Sequence, residues 1–250
     1  MSAIKFPKQH GAWAFLIVPL LLGSLLGSGN WLGLVFAITW IAAYPVSYFG
    51  GRALLMRIRR GSWTTRAGDE LRSSSPWLLI TFLGAVVLIA VRPWILLPGL
   101  GIAALWSVSV YLSWLGRERG ITNDLLLVAL ASIAPPLMYA VANNEPSLQQ
   151  IPRFIWIAAL VSLLFFIGSV LHVKALIREA KDRRWHLASI AVHIAIVLVF
   201  ASYDLLLAAP FLAALIRTIF MKPGLRPGKI GAIESAIALL VVVFTIAAES

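Results

Sequence analysis

The sequence contains no cysteine, and charged residues make up only 12% of its 250 residues. Without cysteine, disulfide bonds, thiolate nucleophiles and thiolate-ligated metal sites are all excluded. Soluble domains carry about 25% charged residues, so this chain does not have the composition of one. Acidic residues number ten and histidines four, so any acid–base chemistry depends on few side chains.

Apolar residues are abundant instead, since 60% of the chain is hydrophobic and its mean hydropathy is +0.91. A bilayer-crossing helix needs roughly 20 mainly apolar residues, and by that measure we predict nine transmembrane helices. They lie at 11–28, 31–51, 76–92, 94–115, 122–142, 153–176, 186–203, 205–221 and 230–248. We expect an all-α membrane helix bundle that forms one domain over 1–250. No small-residue cleavage site follows the first apolar segment, so we interpret it as a retained helix rather than a signal peptide.

The distribution of basic residues predicts a cytoplasmic N-terminus. The cytoplasmic connections are then 52–75, 116–121, 177–185 and 222–229. All 21 lysines and arginines except Arg92 and Arg153 then fall on the cytoplasmic side or at its membrane edge, as positively charged loops do. This pattern explains the net charge of +11, so we predict the lipid bilayer as partner and no nucleic acid. The segment 52–75 is predicted to be a basic loop near anionic head groups.

The stretch 170–185, VLHVKALIREAKDRRW, carries the densest set of ionisable side chains at the end of an apolar span. Such groups are costly in hydrocarbon and usually face a cavity or a partner. The candidate binding or catalytic residues here are His172, Lys174, Arg178 and Glu179. Like charges four residues apart, as at Lys174 and Arg178, repel on an isolated helix. Either Asp182 or a bound phosphate or diphosphate would offset them.

A polar stripe runs along the second span at helical spacing. Its members are Tyr44, Ser47, Tyr48, Gly51 and Arg52. A polar stripe on a membrane helix points inward, and Pro45 loosens the backbone there. Hydrogen bonds between helices are one explanation. Because Arg52 ends the stripe, an anion site that includes Tyr48 is the other.

The motif PKQHGAW precedes and opens the first span, with Lys8, His10 and Trp13 as candidate site residues. His10 and Trp13 are three residues apart and share a helix face. Lysine and tryptophan also serve as anchors at head-group depth. The motif therefore predicts either an interfacial anchor or part of a site.

Two further positions, His193 and Glu234, place an ionisable side chain inside a predicted span. His193 lies about two turns inside the seventh span, on one face with His186 and Ser189. A three-histidine metal site is not expected, since no supporting carboxylate spacing is present. Glu234 lies early in the last span, where a helix dipole favours an acid or where Lys229 or a histidine would pair with it.

The fifth span opens with Asn123 and Asp124, which are candidates for binding a ligand. The alternative is that Thr122 or Asn123 caps the helix. Further along, Pro135 and Pro136 must break this helix. Broken helices at membrane depth occur where they line a cavity or protein.

Several motifs together resemble the YwiC-like family of bacterial membrane proteins. They are PKQHGAWAFLIVPLLLG, NDLL, VKALIREA, the region of His193 and KIGAIES, which span nearly the whole chain. The resemblance implies a multi-pass protein of the bacterial cytoplasmic membrane, and it implies no reaction.

A more distant resemblance is to the intramembrane prenyltransferase superfamily typified by UbiA. It rests on the opening PLLLGSLLGSG and on polar stretches at the ends of the second and sixth helices. The resemblance implies nine helices, a cytoplasmic N-terminus and two Asp-rich motifs that hold Mg²⁺ against a prenyl diphosphate. Here AYPVSYFGGR and HVKALIRE replace those motifs and retain only Glu179. Mg²⁺ is therefore not expected, and the fixed cations Lys174, Arg178, Arg52 and Arg57 would take its place.

These observations favour a UbiA-like bundle that binds an anionic amphipath, an isoprenoid or lipid phosphate, in an intramembrane cavity open to the cytoplasm. A diverged prenyltransferase-like enzyme is one form of this hypothesis. His10, His172, His193 and Glu234 would act as acid–base or orienting groups. One alternative is a proton-coupled transporter of small solutes, which would use His193, Glu234 and the proline break. The other is a non-catalytic assembly partner that binds through the basic segment 52–75.

Overall fold

The computed structural model describes residues 5–7, 10–27 and 29–249, and of residues 10–12 it describes the backbone alone. Within these residues every regular element is a helix and no strand occurs. The all-α class predicted from the sequence is confirmed. In chain order the α-helices are α1 (His10–Leu26), α2 (Trp31–Pro45), α3 (Gly51–Arg60), α4 (Thr65–Val91), α5 (Leu96–Trp114), α6 (Ile121–Ser132), α7 (Ala134–Asn143), α8 (Arg153–Ile177), α9 (Arg183–Ala201), α10 (Leu205–Phe220) and α11 (Pro227–Glu249).

Seven helical segments in the described part of the chain are long and apolar enough to cross a membrane. They are Trp31–Arg60, Thr65–Val91, Pro93–Trp114, Ile121–Asn143, Arg153–Ile177, Arg183–Ala201 and Pro227–Glu249. Two shorter apolar helices, Trp13–Leu26 and Leu205–Phe220, lie where the first and eighth spans are predicted. A multi-pass membrane protein is thus confirmed, whereas the count of nine spans, the UbiA-like arrangement and the cytoplasmic N-terminus stay predictions.

The predicted loop over 52–75 is wrong, because most of this segment is helical. α2 continues through the π-helical residues Val46–Gly50 into α3, and α4 already begins at Thr65. Gly61, at φ 69°, follows α3 in the left-handed region that favours glycine. Thr64 caps α4 by accepting a hydrogen bond from the Ala67 N–H at 3.2 Å. A count of apolar residues misses these turns because they are amphipathic or polar.

Several predicted helix boundaries are confirmed, and each has a local cause. α4 ends at Val91, just before the 3₁₀ turn that Pro93 begins. Asp204 separates α9 from α10, since its carboxylate accepts hydrogen bonds from the first backbone N–H groups of α10. The break that the sequence predicts at Pro135 and Pro136 falls just before them, at Ile133, because α6 ends at Ser132 and α7 begins at Ala134.

The alternative in which Thr122 or Asn123 caps the fifth span is wrong. α6 begins at Ile121, so Thr122 and Asn123 both lie inside its first turn instead of preceding it. The backbone N–H of Asp124 donates to the Gly120 carbonyl at 3.1 Å.

The chain divides into two compact units, where the sequence predicts a single domain. Unit 1 comprises Met1–His10, Gly27–Leu130 and Leu137–Ile151. Unit 2 comprises Gly11–Leu26, Ala131–Pro136 and Pro152–Ser250. Apolar length predicts each helix but does not predict which neighbour it packs against.

In unit 1, α2 packs along α4. Their close approach depends on Gly84 of α4, where a β-carbon would collide with the side chain of Thr39 on α2. Asn30 accepts a hydrogen bond from the Gly33 N–H at the start of α2 and donates one to the Ala142 carbonyl at 2.8 Å. Small residues and capping amides thus join helices that lie far apart in sequence.

In unit 2, α8 packs against α9 and α11, and α10 packs against α9 and α11. The rings of Phe200 and Phe211 stack with centroids 4.6 Å apart, and Phe15 of α1 lies 4.5 Å from Phe166 of α8. Large apolar side chains such as Leu205 remain exposed. Exposed apolar surface of this kind suits contact with lipid tails rather than with water.

Candidate functional site

The polar stripe of the second span surrounds a π-helical turn. α2 ends at Pro45, which lacks a backbone N–H, and the next five residues, Val46–Gly50, form a π-helix. Single π-helical turns are uncommon in proteins, and many of those that occur lie at functional sites. The rings of Tyr44 and Tyr48 remain neighbours, with centroids 6.3 Å apart, so the predicted stripe is continuous here.

Arg52 lies at the end of this stripe and is held by two partners. One guanidinium nitrogen donates to the Tyr48 hydroxyl at 2.9 Å, and another lies 3.0 Å from the Glu70 carboxylate of α4. The Arg52 side chain is 38% exposed, and exposed ion pairs contribute only about 0–1 kcal/mol. The contacts therefore orient the guanidinium more than they stabilise the fold.

A cavity of about 460 Å³ opens beside Arg52 in unit 1. Its lining combines aromatic rings with charged side chains of both signs. The lining residues are Lys5, Phe6, Tyr48, Phe49, Arg52, Arg66, Asp69, Glu70 and Ser73. Both substrate-binding residues predicted on the second span, Tyr48 and Arg52, are among them.

The segment 5–7 reaches this cavity by packing on the start of the apolar part of α4. The Trp77 indole N–H donates to the Lys5 carbonyl at 3.0 Å, and the Phe6 ring meets the Trp77 ring edge-on at 5.1 Å. Lys8 lies outside the described residues, and so does the side chain of His10. Trp13 is half-buried in α1 of unit 2.

Asn123 is buried and makes two structural hydrogen bonds within unit 1. Its side-chain oxygen accepts from the Ser109 hydroxyl at 2.7 Å, and its nitrogen donates to the Glu118 carbonyl at 2.8 Å. These contacts join α5, the turn after it and α6. The neighbouring Asp124 is half-buried.

The residues at the end of α8 occupy different environments in unit 2. His172 and Lys174 are buried, Arg178 is exposed and Glu179 is half-buried. The helix ends at Ile177, so Arg178 begins the turn that follows. Asp182, the predicted partner of the two cations, caps α9 by accepting from the Arg184 N–H at 2.9 Å.

A buried polar network lies deeper in unit 2. Glu234 of α11 forms an ion pair with Arg217 of α10 and accepts a hydrogen bond from the Ser169 hydroxyl of α8 at 2.6 Å. The predicted pairing of Glu234 with Lys229 or a histidine is therefore replaced by a pairing with Arg217. Arg217 also donates to the Ala214 carbonyl, through Nε at 3.2 Å.

His193 joins this network through its Nε2 atom. Its Nδ1 lies 2.7 Å from the Ser189 carbonyl, so Nδ1 carries the proton and donates. Nε2 is then the acceptor for the Arg217 guanidinium at 3.3 Å. Gly168 of α8 packs against the ring, since a β-carbon there would lie 3.0 Å from Nε2. The network therefore fixes both the tautomer and the position of His193.

His172 is fully buried beside this network, with its ring centroid 6.4 Å from that of His193. Among the residues that the structure describes, neither ring nitrogen of His172 has a hydrogen-bond partner. No group of three or more histidine, aspartate or glutamate side chains able to hold a metal ion occurs in that part of the chain.

The structure thus brings three predicted residues together in unit 2, namely His172, His193 and Glu234. Sequence reasoning missed Arg217, which it assigned to the positive cytoplasmic edge. A signal was present, because Arg217 and Thr218 interrupt an otherwise apolar span. Ser169, Asp69 and Glu70 carried no such signal, since their roles depend on which helix lies opposite.

In the part of the chain that the structure describes, seven long apolar helices and a few buried ionic groups define a multi-pass membrane protein. The family of YwiC-like proteins matches residues 6–139, which is more than half of the chain. The chain belongs to the YwiC-like family.

Two relatives extend the similarity beyond this region. An uncharacterized protein of Haemophilus influenzae is 25% identical over 236 residues, which cover 92% of each chain. The uncharacterized protein YwiC of Bacillus subtilis is 25% identical over 192 residues, which cover 75% of this chain and 73% of the relative. No solved structure matches this chain.

Proposed function

We propose that this YwiC-like protein binds an anionic amphipath, an isoprenoid or lipid phosphate, in the cavity beside Arg52. The observation that carries the proposal is the cavity itself, whose lining includes Tyr48 and Arg52 together with the rings of Phe6 and Phe49. Its volume of about 460 Å³ lies within the range of about 300–1,000 Å³ typical of ligand sites.

The charges around the cavity favour an anionic head group. Three cationic side chains, Lys5, Arg52 and Arg66, line it against the two carboxylates Asp69 and Glu70. Guanidinium groups bind phosphate oxygens through paired hydrogen bonds. The Glu70 carboxylate forms an ion pair with one nitrogen of the Arg52 guanidinium. A bound phosphate would therefore compete with Glu70 for this guanidinium.

The rest of the lining suits an apolar chain. Phe6 and Phe49 contribute rings, and α4 changes at this level from the polar turns of Asp69–Ser73 to an apolar run after Trp77. A head group held by Arg52 would therefore lie where the helix enters the membrane. The carbon chain would continue along the exposed apolar face of α4.

The prenyltransferase-like form of this proposal adds a reaction to the binding. It depends on the resemblance to the UbiA superfamily and on fixed cations in place of Mg²⁺. Lys174, Arg178, Glu179 and Trp13 remain predicted ligand-binding residues of unit 2, and Asn123 and Asp124 remain predicted for unit 1. Lys8, outside the described residues, also stays a predicted ligand-binding residue. The binding proposal requires only the cavity residues.

Binding is tested with farnesyl phosphate and purified protein in detergent, followed by native mass spectrometry. We expect Arg52→Gln to weaken binding at least about tenfold, which corresponds to about 1.4 kcal/mol. Arg60→Gln is the matched control, since Arg60 is exposed at the end of α3 and does not line the cavity. Inorganic phosphate and phosphatidylglycerol, as parallel probes, separate recognition of the head group alone from recognition of a lipid.

Equal affinity of the wild-type protein and Arg52→Gln for farnesyl phosphate would contradict the proposal. Tyr48→Phe provides a second measurement that leaves the charge unchanged. We expect it to weaken binding because the Tyr48 hydroxyl helps to orient the Arg52 guanidinium.

A further inference from the structure

The buried network of unit 2 has no net charge as it stands. Arg217 and Glu234 form an ion pair, and the neutral tautomer of His193 accepts from the guanidinium. Both partners of the ion pair are at least nine-tenths buried as residues. Such a pair is tolerated in a low-dielectric interior only while each charge has its partner.

The ring of His172, like the hydroxyl of Ser189, takes no part in these contacts. It is fully buried, and neither ring nitrogen has a hydrogen-bond partner among the described residues. Leaving a buried polar group unpaired is unfavourable, so such a group generally marks the place of a water, an ion or a ligand. One N–H of the ring is available for an acceptor that enters the site.

Protonation of Glu234 would remove its negative charge and leave the Arg217 guanidinium without a partner. An uncompensated charge in this interior is strongly unfavourable. The cost is offset if an anion enters together with the proton and takes the place of the carboxylate on Arg217. The net charge of the network then stays zero.

We propose that this network is a site for the coupled binding of one proton and one small monovalent carboxylate. The proton forms an O–H bond on a Glu234 carboxylate oxygen, and the bound carboxylate accepts hydrogen bonds from Arg217 and from the ring N–H of His172. No other bond forms or breaks. The inference goes beyond the proposed lipid site because it concerns other residues, all in unit 2.

Other titratable groups of unit 2 surround this site. The ring of His193 lies 6.4 Å from that of His172, and Lys174 is buried two residues further along α8. His186, near the start of α9, is only half-buried. Glu234 is the one carboxylate that the described contacts place on Arg217, so it is the group whose proton is coupled to the anion.

The test uses the full chain in lipid nanodiscs with formate as the probe. Calorimetry measures formate binding at acidic and alkaline pH, and a pH-sensitive dye in weak buffer measures proton uptake. We expect one proton to be taken up per formate bound. Affinity should then fall by about tenfold per pH unit where Glu234 is ionised, because binding is linked to one proton.

Substitutions distinguish the contributions of Glu234, Arg217 and His172 to formate binding. Glu234→Gln mimics the protonated acid and should bind formate equally well at both pH values. Arg217→Gln should abolish binding, and His172→Phe should weaken it at least about tenfold. Glu249→Gln, at the end of α11, is the matched control for Glu234→Gln and should bind formate as the wild-type protein does.

Three results would overturn the proposal. They are the absence of formate binding at acidic pH, formate binding without proton uptake, and a pH dependence that persists in Glu234→Gln. Proton uptake by the wild-type protein requires no variant, so the proposal stays open to refutation even where a substitution prevents folding.

Discussion

Gly168 of α8 and His193 of α9 lie so close together that a β-carbon at residue 168 would come within 3.0 Å of the imidazole Nε2. The ring has little freedom to move away, because its Nδ1 donates to the Ser189 carbonyl at 2.7 Å. The missing side chain of glycine thus allows two membrane helices to pack with an imidazole between them.

Gly168→Ala should lower the stability of the protein. Overpacking an interior costs typically about 1–3 kcal/mol, which exceeds the roughly 1 kcal/mol that alanine gains over glycine in a helix. Gly231→Ala is the control, since no atom lies within 4 Å of a β-carbon there. The midpoint of thermal unfolding in detergent should fall for Gly168→Ala and stay level or rise for Gly231→Ala. An equal response at both sites would show that His193 yields to the added methyl group.

Ser109→Ala should destabilise unit 1 by about 1–3 kcal/mol, because the buried side-chain oxygen of Asn123 would lose its hydrogen-bond donor. Ser107→Ala provides a comparison on the same helix. The Ser107 hydroxyl is exposed and donates only to the carbonyl of Ala103. Equilibrium unfolding of both variants measures the difference, and equal values would refute the structural role of Asn123.

Arg217→Met and Glu234→Leu should each be strongly destabilising, by about 3–5 kcal/mol, because each leaves a buried charge unpaired. The double variant should be more stable than the sum of the two losses predicts, since it removes both charges. Unfolding free energies of the four proteins form a double-mutant cycle that measures the coupling. Additive losses would mean that the two side chains do not interact.

Gly84→Ala should impair the packing of α2 against α4. The added β-carbon would collide with the Thr39 side chain, whereas Gly68, earlier on α4, has open space around it. We expect a loss of about 1–3 kcal/mol for Gly84→Ala and none for Gly68→Ala. Thermal unfolding measured by circular dichroism tests both. A Gly84→Ala protein as stable as Gly68→Ala would place the helices further apart than the structure has them.

The polar stripe ending at Tyr48 and Arg52 illustrates what spacing along one helix predicts. Residues four apart meet on one helix face, and the guanidinium indeed donates to the Tyr48 hydroxyl. The partner on α4, Glu70, was not predictable because it lies in a segment interpreted as a loop. The role of Arg217 could not be predicted for a related reason, since a basic residue near a span end also fits the positive-inside pattern.

The order of residues is enough to predict an all-helical, multi-pass membrane protein and most of its helix ends. A transmembrane span depends on a run of consecutive apolar residues, and prolines and capping side chains affect only the backbone beside them. Spans and helix ends can therefore be predicted from short stretches of sequence. The pairing of Glu234 with Arg217, and the burial of His172 without a hydrogen-bond partner among the described residues, follow from how the helices pack. Contacts between side chains of different helices depend on which helices pack together and on how each helix is rotated about its axis. These choices follow from close contacts such as that of Gly168 with His193, which pair residues far apart in the chain.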